Sequence, residues 1–212
     1  MMTDIRLLFP LLSAALGGWA SVTLEDVPDY LVAGQPVTLT YTVRQHGEEP
    51  LSGLNTSIEA RSGDLAATAP VTDAGKGRYT TTLNLSRPGD WTITITTGFW
   101  PRRVSLLPIK VIAAGQAAPT LTDAARGQRL FMAKGCVTCH VHRDVPAEGV
   151  KYGPELSDRR FDATELTQFL ISPPKALRAR GSTKMMPNLG LKPKEIAALV
   201  AFLNREGDVA GW

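Results

Sequence analysis

Cysteine is nearly absent from this chain: 2 of its 212 residues, Cys136 and Cys139, beside 3 histidines and 5 methionines. A pair so close in sequence cannot staple distant segments, so the two thiols point toward metal, cofactor or redox chemistry. No second cysteine pair is present to complete a zinc site, and no βαβ pattern surrounds the first as a thioredoxin-like dithiol requires. Ahead of residue 113 there is one histidine, His46, no cysteine and, past Met1 and Met2, no methionine. That half therefore lacks the ligands for carrying copper. The apolar stretch Leu7–Leu16 falls short of the about 20 residues that a membrane span needs. A hydrophobic content of 43% is that of an ordinary globular chain, neither disordered nor multi-spanning.

What is present divides into a leader and two halves. Arg6, the apolar Leu7–Leu16 and then the small residues Gly17, Gly18, Ala20 and Ser21 have the order of a secretory signal. Residues 1–20 are thus expected to be a signal peptide or, if the apolar region extends through Trp19 and Val22, a membrane anchor. Either places the rest in the periplasm or on the outer face of the cytoplasmic membrane. Residues 22–112 hold 8 lysines and arginines against 9 aspartates and glutamates, whereas 120–212 hold 14 against 10. Between them Ala113-Ala114-Gly115-Gln116-Ala117-Ala118-Pro119 is small and uncharged, the composition of a short linker. The domain boundaries expected are 21–113, a linker at 114–120, and 121–212.

The first domain reads as all-β. Val37, Leu39, Tyr41 and Val43 alternate with threonines, as do Trp91, Ile93 and Ile95, and period two marks half-buried strands. Tyr79–Leu85 sits between turn signals, and Val104–Ile112 forms a late strand interrupted by Pro108. Short strands with frequent turns predict an immunoglobulin-like sandwich. The second domain reads as all-α, with apolar residues at helical spacing in Ala125–Ala133, Leu166–Ile171 and Ile196–Leu203. Pro193 suits the first turn of the last helix, Glu195 its positive end and Gly207 its stop, while Lys192 is a poor cap.

The run Cys136-Val137-Thr138-Cys139-His140 carries the chemistry. It is the c-type haem attachment pattern: two thiols form thioethers to the porphyrin vinyl groups and the adjacent histidine reaches the iron. The spacing lets one turn of chain offer both sulfurs to neighbouring porphyrin edges, with the imidazole under the ring centre. One covalent haem c is therefore expected on Cys136, Cys139 and His140. His142 reads as a surface residue. A second iron ligand of the thioether kind favours the ferrous state. Met1 and Met2 belong to the leader and Met132 to a helix core, which leaves Met185 and Met186.

Ala125 through His140, then Tyr152-Gly153-Pro154-Glu155-Leu156, then Lys184-Met185-Met186-Pro187-Asn188-Leu189 resemble a class I cytochrome c in order, spacing and flanks. The resemblance covers about residues 121–206. It implies Met186, just before proline and shortly before the last helix, as the second axial ligand, with Met185 the neighbour to test. It implies that the Pro154 carbonyl accepts a hydrogen bond from the axial histidine's other nitrogen. It also implies that Gly127 and Phe131 on the first helix pack against the last, where Phe202 is the partner.

The function implied is that of an electron carrier rather than an enzyme, serving redox protein partners in a respiratory or photosynthetic membrane complex, with peripheral or anchored membrane association. The alternatives are a subunit of a haem-dependent oxidoreductase acting on a small substrate, and a mainly structural docking subunit. Lys175, Arg178, Arg180 and Lys184 form a basic cluster suited to steering an acidic partner. Aromatic residues are not interleaved with these charges, so no nucleic-acid partner is expected. The first domain has no evident active site and is expected to be a docking module, with His46 solvated in a polar turn.

Overall fold

The structure, a computed structural model, describes residues 18–100, 103–147 and 149–205. Most of the expected leader, and Gly207, lie outside the described residues. In chain order the strands are β1 (Ala20–Leu24), β2 (Tyr30–Val32), β3 (Pro36–Gln45), β4 (Glu49–Pro50), β5 (Ser57–Ser62), β6 (Leu65–Ala69), β7 (Val71–Asp73), β8 (Arg78–Asn84), β9 (Gly89–Thr96), β10 (Arg103–Ser105) and β11 (Ile109–Ile112). The helices are α1 (Asp123–Ala133), α2 (Ala163–Ile171), α3 (Pro173–Ala179) and α4 (Pro193–Leu203). Among the described residues no helix is long and apolar enough to cross a membrane.

One sheet has the order β1-β3-β8-β7, with β4 added on β3, and the other the order β2-β11-β9-β5-β6, with β10 added on β9. This is the arrangement of an immunoglobulin sandwich, in which strands A, B, E and D face C, F and G. β1, β3, β8 and β7 take the first set of places; β5, β9 and the β10–β11 pair take the second. The alternation that predicted β3 is realised: Leu39, Tyr41 and Val43 are buried, while Thr38 and Thr40 meet Thr82 and Thr80 of β8 on the outer face. The strand expected over 104–112 is broken into β10 and β11 around Leu106–Pro108, because Pro108 has no N–H for the ladder. Trp19 and Ala20, ahead of the boundary expected at residue 21, are buried in this domain, and Ala20 opens β1.

In the helical half, α1 and α4 cross so closely that a Cβ on Gly127 would lie 2.0 Å from the Ala198 carbonyl oxygen and 2.7 Å from Phe202 Cβ. Only glycine permits that approach. Phe131 and Phe202 then meet at 5.6 Å between ring centroids. Farther along, Lys134, 3% exposed, pairs with Glu195 at 2.8 Å. The end of α1 thus lies beside the start of α4, and the helices run antiparallel. Helix α3 shows no helical period in the sequence because Pro173-Pro174 opens it and it is only seven residues long. Helix α4 ends at Leu203, not at Gly207: Asn204 caps it and its side chain accepts from the Phe161 N–H at 2.9 Å.

The two halves pack on each other directly. Arg126 grips Asp29 through Nε at 2.9 Å and Nη2 at 2.7 Å, and Arg129 donates to the Asp29 carbonyl at 2.8 Å. Lys134 donates to the Glu25 carbonyl at 2.8 Å, and Lys192 pairs with Asp26. Beneath these polar ties Val27 packs against both cores, Ala133 joins the sandwich core and Leu107 joins the helical one.

Two outcomes are expected. Gly127→Ala forces α1 and α4 apart and costs about 1–3 kcal/mol in denaturant unfolding. The Asp29 carboxyl is held below the ordinary aspartate range by its hydrogen bonds from Arg126, against opposing desolvation. A depressed folded-state pKa adds stability that is complete above the unfolded value and is lost as pH falls through the folded one. The stability difference between the natural chain and Asp29→Asn, on the order of 1 kcal/mol, is therefore largest near neutral pH. It shrinks as urea unfolding is repeated from about pH 7 toward about pH 3.

Candidate cofactor site

Helix α1 ends in a turn that delivers the attachment motif. Gly135 adopts a left-handed conformation (φ 78°), after which Cys136–Thr138 form a single 3-10 turn. Within that turn the Cys136 carbonyl accepts from both Cys139 N at 3.1 Å and His140 N at 2.9 Å. This coil brings the two cysteines and His140 onto one short stretch of chain. Both thiols are free. Desolvation pushes the Cys136 thiol up to about 12, with the neighbouring Cys139 adding to it, and pushes Cys139 up to about 11. That is the reverse of a redox dithiol, whose attacking sulfur is held below the ordinary thiol range.

The segment after the motif folds back along it. Val150, Gly153 and Leu156 donate their N–H groups to the carbonyls of Thr138, Cys139 and Val141 at 2.8, 2.9 and 2.9 Å. Gly153 is pressed against the imidazole, where a Cβ would come within 2.4 Å of His140 Cε1 and Nδ1. The same segment aims the Pro154 carbonyl at His140, which donates from Nδ1 at 2.9 Å. A carbonyl can only accept, so Nδ1 carries the proton and Nε2 keeps its lone pair. Burial lowers the His140 pKa, partly offset by the bond to Pro154. The ring is therefore neutral, oriented and ready to donate to a metal.

The two methionines differ in setting. Met185 is 59% exposed, whereas Met186 is half-buried and packs against the helical core. Their loop leads straight into α4, and the ion pair of Lys134 with Glu195 holds the beginning of α4 beside the end of α1. Two thiols, one imidazole with a free lone pair and one inward thioether are the donor set of a covalent haem, and the glycine cradle at His140 suits it.

His142 is not at the surface. It is 4% exposed, its ring 4.4 Å from Phe202 and 6.0 Å from Phe131. Burial lowers its pKa, so it packs as a neutral aromatic between the two helices. Nothing in the polar run around it announced this, because the burial comes from α4, some sixty residues away in sequence. Two further polar residues on α1 and past α4 brace the same region. Gln128 donates to the Asp144 carbonyl at 2.5 Å, and Arg205 pairs with Asp144 while lying 4.8 Å over the Phe202 ring. Lys175, Arg178, Arg180 and Lys184 are all exposed.

Comparison with known proteins bears on both halves. The sandwich has likenesses among solved structures. Domains 4 and 5 of the S-layer protein SbsC are 24% identical, covering 44% of this chain and 51% of that one, with a TM-score of 0.34. The Escherichia coli adhesin FdeC is 22% identical, covering 47% and 32%, with a TM-score of 0.37. The Lin-41 filamin domain is 14% identical, covering 46% and 93%, with a TM-score of 0.35. The chain thus spans about half the length of the first and a third of the second, and at such scores the sandwich assignment rests on strand order alone. No curated protein matches the chain. The family model described as Cytochrome c matches residues 124–205, the stretch that holds α1, the attachment motif, the folded-back loop and α4. The chain therefore carries a cytochrome c domain, a covalent-haem electron-transfer module, joined to an immunoglobulin-like β-sandwich.

Proposed function

We propose that this protein is a single-haem electron carrier working outside the cytoplasm, exchanging electrons with redox proteins of a respiratory or photosynthetic membrane complex. Cys136 and Cys139 attach the porphyrin, and His140 and Met186 ligate the iron. The observation that supports this reading most directly is the imidazole of His140. Its Nδ1 bonds the Pro154 carbonyl at 2.9 Å and its face lies on the Gly153 backbone, so its orientation and tautomer are set by the chain itself. Haem bound there would supply the one-electron couple.

The chain's own residues do the rest. Pro154, accepting from Nδ1, makes the imidazole a stronger donor at Nε2. The half-buried Met186 brings a soft thioether, which raises the potential relative to a harder ligand. Phe131, Phe202 and His142 close the space between α1 and α4 to water. The leader read at residues 1–20 as a signal or anchor, shortened at its end because Trp19 and Ala20 belong to the folded sandwich, supports the compartment. Among the described residues none of Lys175, Arg178, Arg180 and Lys184 forms an ion pair, and all four are exposed. Their charge is free to steer an acidic partner.

In the haem-loaded protein, Met186→Ala removes the methionine–iron charge-transfer band, lowers the reduction potential and opens the ferrous iron to carbon monoxide. Met185→Ala leaves all three as they are. The reverse result assigns the ligand to Met185, and no change in either variant refutes methionine ligation. Electron exchange with an acidic redox partner slows by roughly tenfold or more as salt rises. Charge reversal at Lys175 and Arg178 removes most of that dependence, and a salt-independent rate rules out steering by this cluster.

A further inference from the structure

One corner of the sandwich touches the loop that packs on His140 and the loop that bears Met186. His46, in the turn between β3 and β4, donates its backbone N–H to the Trp19 carbonyl at 2.8 Å, which ties that turn to the residue ahead of β1. Trp19 is 8% exposed. It meets the His46 ring edge-on at 5.7 Å and leans on Tyr152 at 6.0 Å. Tyr152 directly precedes Gly153, whose backbone lies on the His140 ring. On the other side of the turn, Gly47 is buried against Pro187, close enough that a Cβ on it would stand 3.0 Å from Pro187 Cγ. Pro187 directly follows Met186.

Among the described residues no hydrogen bond joins the two loops to each other. The chain from Ser182 to Leu191 has no regular structure. Its hydrogen bonds are local: Ser182 N to the Leu177 carbonyl, Lys184 N to Ser182 Oγ and Gly190 N to Asn188 Oδ1. A segment held this way opens readily unless something packs against it. Trp19 and Gly47 are packed against the 152 and 187 loops from one rigid strand end. The interdomain ties of Arg126, Lys134 and Lys192 to residues past the other end of β1 keep the two domains docked.

We propose that the Trp19–His46–Gly47 corner of the sandwich is an outer wall of the haem crevice, positioning the Tyr152–Pro154 loop and the Met186–Pro187 loop relative to each other. The first domain thereby sets how firmly Met186 holds the iron and how readily water reaches it. The proposal rests on the reading of Met186 as the ligand. Its physical basis is that the apolar shell around a metal controls solvent access and local dielectric, and through them the potential. The sandwich then acts on the redox centre of its own chain and is not only a module that holds the cytochrome to something else.

The test uses the full-length, haem-loaded protein and two readouts, the rate at which carbon monoxide captures the ferrous iron and the midpoint potential. Trp19→Ala removes the support of Tyr152, and Gly47→Ala pushes a methyl group into Pro187 from a residue at φ 78°. Both are expected to speed carbon monoxide capture by roughly two- to thirtyfold, the range over which packed neighbours modulate a site, and to lower the potential. Trp19→Phe keeps an aromatic wall and restores most of both values. Leu83→Val weakens the sandwich core opposite Val37, at the far end of β3, and leaves both readouts unchanged. Should Gly47→Ala fail to fold, the two Trp19 variants carry the comparison.

A natural protein that shows the methionine–iron band, with Trp19→Ala matching it in capture rate and potential, overturns the wall while leaving the ligation intact. Equal shifts from Leu83→Val overturn it as well, by tracing the effect to stability alone. A natural protein with no such band overturns the ligation itself.

Discussion

The close crossing of α1 and α4 is the contact from which the site follows. Glycine at 127 lets the Ala198 backbone come to where a side chain would otherwise stand, and Phe131, His142 and Phe202 fill the wedge that opens from it. Because the helices run antiparallel, the end of α1 and the start of α4 meet, locked by the nearly buried pair of Lys134 with Glu195. The attachment motif grows out of the first and the methionine loop runs into the second. Two segments some fifty residues apart in sequence are thereby brought to one end of the domain, where a single planar cofactor can contact both.

The second organising feature is electrostatic. The helical half carries the basic excess, and part of it is turned inward on the sandwich. Arg126, Arg129, Lys134 and Lys192 meet Asp29, Glu25 and Asp26 along the chain that follows β1. Exposed pairs of this kind contribute little singly. Here they surround an apolar seam, where Val27, Ala133 and Leu107 cross from one core to the other. The short uncharged connection at 113–119 therefore joins two bodies already in contact. The cations left facing solvent, among them those on α3, are the ones available to a partner.

The candidate attachment motif was legible without coordinates, since its pattern is one of local spacing. Cys136, Cys139 and His140 lie within one turn, and no tertiary contact is needed to see that they face the same way. The sandwich was legible in the strict alternation of β3 and β9, a signal strong enough to survive without partners. His142 and α3 were misread or missed for the opposite reason. The burial of His142 comes from a helix far along the chain, and α3 is too short and too proline-rich to show a helical period. Helix α4 ends at Leu203, where the Asn204 backbone N–H caps it and its side chain turns to the Phe161 N–H, a contact outside the helix.

The sequence by itself determined the candidate attachment motif, two thiols with an adjacent imidazole, and that β precedes α. Those follow from the spacing of neighbours and from period two against period 3.6, which are properties of the chain within a few residues. Only the tertiary structure decided which methionine points inward, which carbonyl fixes the tautomer of His140, and that Trp19 and Gly47 of the first domain lean on the loops of the second. Those depend on where remote backbone comes to rest, and that is settled by close packing of helix on helix and sheet on loop.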